Sequence, residues 1–135
     1  MIELRDLIKT AKNEPTTANI EAMWKAVYLL GAWYFAPGKK APGATTPMVM
    51  QEEDGAWLLA FTNFRQLSKF EREHDLLLPD GNLNMLVLDP LKSTRLVQEH
   101  AAHIMGVVFN PQSDETFRAP VDALVAYARH FGLDV

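Results

Sequence analysis

Apolar residues recur at two spacings along the chain, and each spacing predicts one kind of element. Leu4, Leu7, Ile8 and Ala11 recur at intervals of three or four with charged residues between them, which is typical of an amphipathic helix. Pro15 ends this helix, because proline cannot continue a helix and restricts the residue before it. The same spacing predicts four further helices, at residues 17–30, 63–70, 92–103 and 117–131.

Short apolar runs between glycine, proline and acidic residues predict the strands. They cover residues 32–35, 47–51, 56–61, 76–78, 85–88 and 106–109. The connection before the third run ends in Asp54-Gly55, which favours a tight hairpin because glycine accepts a positive φ. The third run is apolar on both of its faces, and this is typical of a central strand.

Polar residues at the expected helix starts supply caps. Thr17 and Ser93 are expected to cap the second and fourth helices. Asn63 and Gln66 have the spacing of a capping box at the start of the third helix. Pro120 suits the first turn of the last helix.

The order of these elements predicts an α/β (α+β) fold. The predicted order is α-α-β-β-β-α-β-β-α-β-α, without a repeat or an interior linker, so we expect a single domain over residues 1–135. The expected architecture is a mixed β-sheet of five to six strands packed with helices. Hydrophobic residues make up 48% and charged residues 22% of the chain, which is the balance of a globular protein.

Charge and cysteine content narrow the classes of partner. The net charge is −4, and the only adjacent lysines are Lys39 and Lys40, so we expect neither nucleic acid nor an anionic membrane as a partner. The chain has no cysteine, which excludes disulfides and thiolate chemistry and fits a reducing compartment. The charged N-terminus is not a signal peptide, and no apolar run is long enough to span a membrane. We therefore expect a cytoplasmic protein.

The sequence shows no pattern that predicts catalysis. Ser68, Ser93 and Ser113 lie outside the motifs of nucleophilic serines, and there is no glycine-rich phosphate loop. We therefore predict that the protein is not an enzyme and holds no cofactor.

One polar cluster remains as a candidate pocket. His100 and His103 are one helical turn apart, a spacing that can chelate a metal ion, but no third ligand is indicated. We interpret the two histidines as structural and expect no bound metal. His100, His103 and Asn110 are kept as candidate pocket residues. The turn at Asn110-Pro111 is interpreted as structural, because asparagine side chains often bond to the backbone there.

Three consecutive aromatic residues form the candidate protein interface. Trp33, Tyr34 and Phe35 must place side chains on both faces of their strand. The strand follows a glycine and precedes a loop at residues 37–45 that is rich in proline and glycine, so we expect it at the edge or rim of the sheet. An uncharged aromatic edge favours association. The interpretation as core is equally open, and a homodimer is the simplest association.

Several segments together resemble the N-terminal domain family of the SseB proteins, named for enhanced serine sensitivity. The residues are Leu59-Ala60-Phe61-Thr62-Asn63, the hairpin from Pro47 to Trp57, Leu78-Pro79-Asp80-Gly81 and Gly106-Val107-Val108-Phe109-Asn110-Pro111. The resemblance implies an α/β fold and a cytoplasmic bacterial protein of undefined role. It also implies a stand-alone N-terminal domain, since the chain is too short for the C-terminal domain that such proteins often carry. It supplies no catalytic residue.

Three functions follow as hypotheses. The first is a non-enzymatic interaction domain that binds another protein or itself. The second is a small-molecule sensor or enzyme with a pocket at the strand ends. The third is a component of a secretion or toxin-immunity system, in which small α/β domains are frequent.

Overall fold

A computed structural model describes residues 3–39 and 45–135 of the chain. The described helices are α1 (Leu4–Asn13), α2 (Thr17–Tyr28), α3 (Phe64–Glu73), α4 (Pro90–Glu99) and α5 (Val121–His130). The described strands are β1 (Trp33–Phe35), β2 (Val49–Glu52), β3 (Gly55–Ala60), β4 (Leu86–Leu88), β5 (Gly106–Phe109) and β6 (Phe117–Pro120). The predicted mixed α+β class and its strand number are confirmed.

The strands form two sheets, of four and two strands, which backbone bridges connect. Four of them lie in the order β2-β3-β5-β6, with β3 and β5 parallel and the outer pairs antiparallel. The other two, β1 and β4, pair antiparallel. A bridge between Tyr34 and Phe61 joins β1 to the end of β3. The carboxyl ends of the parallel strands β3 and β5 therefore lie side by side.

Helices cover both faces of the strands, in unequal number. On one face, α1, α2, α4 and α5 pack against the alternating residues Leu58, Ala60, Val107 and Phe109. On the other face, α3 alone packs against the intervening side chains. That second cluster contains Ala36, Trp57, Leu59, Phe61, Leu67, Phe70 and Val108. The predicted central position of β3 is explained by this covering of both of its faces.

Side-chain caps fix the starts of three helices. Asn63 accepts the predicted hydrogen bond from the third residue of α3, at 2.9 Å. The other two predicted caps are wrong. Thr16, and not Thr17, caps α2, and Asp89, and not Ser93, caps α4. Ser93 instead lies inside α4 and donates to the Leu88 carbonyl oxygen.

Three predicted boundaries are also wrong. Residues 76–78 form no strand, because two of their amides bond to nearby backbone. The Leu76 N–H donates to the Glu71 carbonyl oxygen in the last turn of α3, and the Leu78 N–H donates to the Asn82 carbonyl oxygen. Residues 117–120 form β6 and not the start of the last helix. The fourth helix ends at Glu99, four residues earlier than 103. Residues 40–44 of the predicted loop lie outside the described residues.

Candidate functional site

Two of the three consecutive aromatic residues lie in the core. Trp33 and Phe35 are 0% exposed, whereas Tyr34 points to the opposite face and is half-buried. The Trp33 Nε1–H donates to the Val27 carbonyl oxygen at 2.9 Å. The centroid of the Trp33 ring system lies 5.0 Å from that of the Phe109 ring. Of the three candidate interface residues, only Tyr34 therefore reaches the surface.

The prediction that β1 forms the sheet edge is wrong. On one side β1 pairs with β4, and on the other Tyr34 and Phe61 exchange backbone hydrogen bonds of 3.0 and 2.8 Å. The free edge lies one strand further out, at β4, which has no second neighbouring strand in the described part of the chain. The sequence carried no signal for this, because the pairing joins segments far apart in the chain.

The side chains at this free edge are apolar and exposed. Met85 is 45% exposed and Val87 is 43% exposed. Val87 lies opposite Tyr34 in the β1–β4 register, so their side chains share one face. We call Tyr34, Met85 and Val87 the β4 edge. It brings one of the three predicted interface residues together with two that the sequence analysis missed.

The candidate pocket residues do not come together. His100 and His103 follow α4 and precede β5, whereas Asn110 follows the other end of β5. His100 bonds through Nδ1 to the Leu96 carbonyl oxygen at 2.9 Å, and His103 is exposed. The strand separates the two histidines from Asn110, so a pocket that uses all three is excluded.

Asn110 joins the carboxyl ends of the two parallel strands. It is fully buried, and its φ of 50° places it in the left-handed region that asparagine tolerates. Its Oδ1 accepts the Thr62 backbone N–H at 2.9 Å, which confirms the predicted bond to the backbone. Its Nδ2 donates to the Thr62 hydroxyl at 3.1 Å and to the Glu115 carbonyl oxygen at 3.2 Å. Asn110 therefore fixes the geometry at the ends of β3 and β5.

Replacing Asn110 by alanine should lower the free energy of unfolding by about 1–3 kcal/mol, because the buried Thr62 N–H loses its acceptor. Urea unfolding measures this loss. Gln112→Ala is the matched control, since Gln112 has a φ of 61° but is exposed. Equal losses in the two variants would show that the left-handed backbone, and not the buried hydrogen bonds, determines the effect.

A cavity of about 390 Å³ opens at the same strand ends. It is lined by Glu3, Leu4, Arg5, Thr62, Asn63, Arg65 and Glu115. Ligands of open α/β sheets commonly bind outside the carboxyl ends of parallel strands, so this cavity lies where the pocket of the second hypothesis was expected. Its residues are not the predicted ones, although Thr62 is the hydrogen-bond partner of Asn110.

The charges of this cavity are partnered with one another. The Arg5 Nε lies 3.1 Å from Glu3, and an Arg65 nitrogen lies 4.0 Å from Glu115. Glu115 also accepts a hydrogen bond from the Gln66 side chain at 2.9 Å. Each guanidinium thus has a carboxylate beside it, and the cavity presents no net charge of either sign.

Comparison with protein-family models and with curated proteins finds no match for this chain. The resemblance to the SseB N-terminal domain therefore stays a prediction that rests on motif order. Within residues 3–39 and 45–135, no helix is long and apolar enough to cross a membrane. The same residues contain no group of three or more histidine, aspartate or glutamate side chains placed to hold a metal ion.

Proposed function

We propose that the chain is a protein-interaction domain without catalytic activity, and that it associates with a second copy of itself through the β4 edge. The observation that carries the proposal is a pair of exposed apolar side chains, Met85 just before β4 and Val87 within it. One side of β4 has no partner strand among residues 3–39 and 45–135. A strand from a second copy would pair with the free backbone groups of β4 and cover both side chains.

The composition of β4 supports this proposal. Edge strands are commonly protected by short length, by lysine or proline, or by inward-pointing charges. Leu86–Leu88 is short, at three residues, but contains none of the protective side chains. Tyr34 lies next to Val87 in the register and adds an amphipathic side chain of the kind enriched at interfaces. The edge thus offers backbone pairing and apolar contact together.

Other exposed apolar side chains do not form a comparable surface. Leu29, Val49, Phe64 and Met105 are exposed, but each belongs to a different segment of the fold. Single exposed apolar residues are ordinary on protein surfaces. Only at the β4 edge do two of them lie along one segment whose outer side has no described partner strand.

Sedimentation velocity tests the association. The wild type is expected to associate reversibly at micromolar concentration. Val87→Lys should weaken this association at least about tenfold, because a charge buried in the interface without a partner costs more than about 1.4 kcal/mol.

Val49→Lys is the matched control. Val49 has a similar exposure, 48%, on another edge strand, so the variant should associate like the wild type. A wild type that stays monomeric up to hundreds of micromolar would contradict the proposed self-association. Equal weakening by both variants would contradict the assignment to β4.

The composition of the chain bears on the compartment and on the classes of partner that we propose. A net charge of −4 and the absence of cysteine support a cytoplasmic protein that does not bind nucleic acid. These properties fit the bacterial family that the motifs resemble.

A second candidate function is the binding of a small molecule, and the cavity at the ends of β3 and β5 favours it. The two guanidinium groups and two carboxylates suit a zwitterion better than an ion of one sign. A ligand there would raise the melting temperature of the wild type and leave its sedimentation unchanged, which separates this function from association.

A further inference from the structure

Glu71 is a carboxyl group enclosed by the fold. It lies near the end of α3 and is 0% exposed. Its Oε1 accepts the Asn84 backbone N–H at 2.8 Å. Its Oε2 is buried and has no hydrogen-bond partner among the residues that the structure describes. A carboxylate in this position would leave a charged oxygen without solvent or donor, which is strongly unfavourable.

Asn84 connects Glu71 to two other segments. It is buried, and one residue, Met85, separates it from β4. Its side-chain Nδ2 donates to the Lys39 carbonyl oxygen at 2.8 Å. The contact between Glu71 and Asn84 therefore holds together α3, the chain that enters β4 and the chain that leaves β1.

Within residues 3–39 and 45–135, no charged side chain is found that compensates a carboxylate at this position. Burial raises the pKa of Glu71 from 4.5 to about 7, while the hydrogen bond from Asn84 lowers it in part. Neither of these two causes is a neighbouring charge. The charged or titratable side chains of the flanking described segments are all exposed, and they are Lys39, Lys69, Arg72, Glu73, His74, Asp75 and Asp80.

We propose that the proton on Glu71 controls how firmly β4 is held in the sheet, so that loss of this proton loosens Asn84 and weakens association through the β4 edge. This inference rests on the proposed function, because it assigns a regulation to the same surface. The neutral carboxyl is compatible with burial, whereas the carboxylate gains hydration only when the segment before β4 opens.

The direction with pH follows from the two protonation equilibria. In the open segment Glu71 has its ordinary pKa of 4.5, and in the closed structure its pKa is about 7. Between pH 4.5 and about 7, the segment before β4 therefore takes up a proton on Glu71 when it closes. The closed structure is most stable relative to the open one below pH 4.5, and this stability falls as the pH rises to about 7. The opening equilibrium should increase by roughly 300-fold across this interval and remain constant above it.

Amide hydrogen exchange tests this proposal without any partner. The variant Val87→Lys, at a concentration at which it sediments as a monomer, is compared with the same chain carrying Glu71→Gln. The glutamine keeps an acceptor for Asn84 but cannot ionise. Protection factors are measured for the Asn84 amide, which donates to Glu71, and for the Leu88 amide, which faces β1. With Glu71 present, both should fall on the order of 100-fold between about pH 5 and pH 7.5. In the chain that carries Glu71→Gln, both should stay constant.

The outcomes separate this proposal from the proposed function. Protection that does not change with pH when Glu71 is present, or that falls equally with glutamine in its place, would overturn the regulation by Glu71. A fall that depends on Glu71, in a wild type that never associates, would uphold the local opening and overturn its effect on association. A dissociation constant that rises with pH in the wild type and not in Glu71→Gln would support both steps.

Discussion

Gly106→Ala is expected to lower the free energy of unfolding by about 3 kcal/mol or more, because its added methyl group has no space. A Cβ at this position would lie 2.7 Å from both the Pro120 Cα and the Trp57 Cζ3, and it would overlap the Ala119 carbonyl oxygen. Two of these three atoms belong to the backbone of β6, which pairs with β5. They cannot move aside without breaking that ladder.

Gly31→Ala provides the control for this prediction. No atom lies within 4 Å of a Cβ built at Gly31, so alanine should change the stability by less than about 0.5 kcal/mol. Urea unfolding of both variants gives the comparison. Similar stabilities would contradict the close approach of β6 and the Trp57 ring to Gly106.

Trp33→Ala is the second large effect, with an expected loss of about 3–5 kcal/mol. The side chain is fully buried, and its ring contacts those of Tyr28 and Phe109 at centroid distances of 5.1 and 5.0 Å. Its removal would leave a cavity and take away the 2.9 Å hydrogen bond to the Val27 carbonyl oxygen, which also accepts the Leu30 N–H at 3.3 Å. Thermal and urea unfolding measure the loss.

Tyr34→Ala distinguishes a core role from an interface role within the same strand. Tyr34 is half-buried, so its removal should destabilise the fold less than the removal of Trp33 and should weaken self-association. If Trp33→Ala kept its stability and lost association, the aromatic triplet would be an interface in the sense first expected from the sequence.

Helices and the central strands could be predicted from local patterns alone. The apolar spacing that begins at Leu4 and the cap at Asn63 depend on residues within one or two turns, and both are present in the structure. The continuous apolar run of β3 indicated burial on both faces, and both faces are covered. Information within a short window was sufficient in these cases.

Elements that depend on distant partners were not predictable in this way. Phe117 and Ala119 face the core at a spacing of two, but Phe117 is also four residues from Val121 and seven from Leu124. That second spacing fits a helix, so β6 was merged with α5. The leucines at 76–78 form an apolar run without a partner strand. Whether such a segment forms a strand depends on pairing with another strand and not on its composition.

The residues of the candidate site also divide into those predictable from local sequence and those that depend on distant partners. The structural role of Asn110 was accessible, because a turn after a buried strand restricts what its side chain can bond. The burial of Glu71 could not be predicted from the sequence, because Glu71 is one polar residue among several on an amphipathic helix. Its burial arises from the segment around Asn84, which is distant in the chain. The free edge at β4 depended on knowing which strand pairs with β1.

The parallel pairing of β3 with β5 has a consequence for the order of folding. Three elements lie between these strands in the chain, namely α3, β4 and α4. The strand that pairs with β3 is therefore synthesised well after β3 itself. Sheets built from such distant segments form slowly, since loop closure precedes any gain from contact. Before β5 is synthesised and paired, the edge of β3 that later pairs with β5 is exposed, together with its apolar residues. A nascent chain stalled before Gly106 would thus expose a strand that is prone to aggregate.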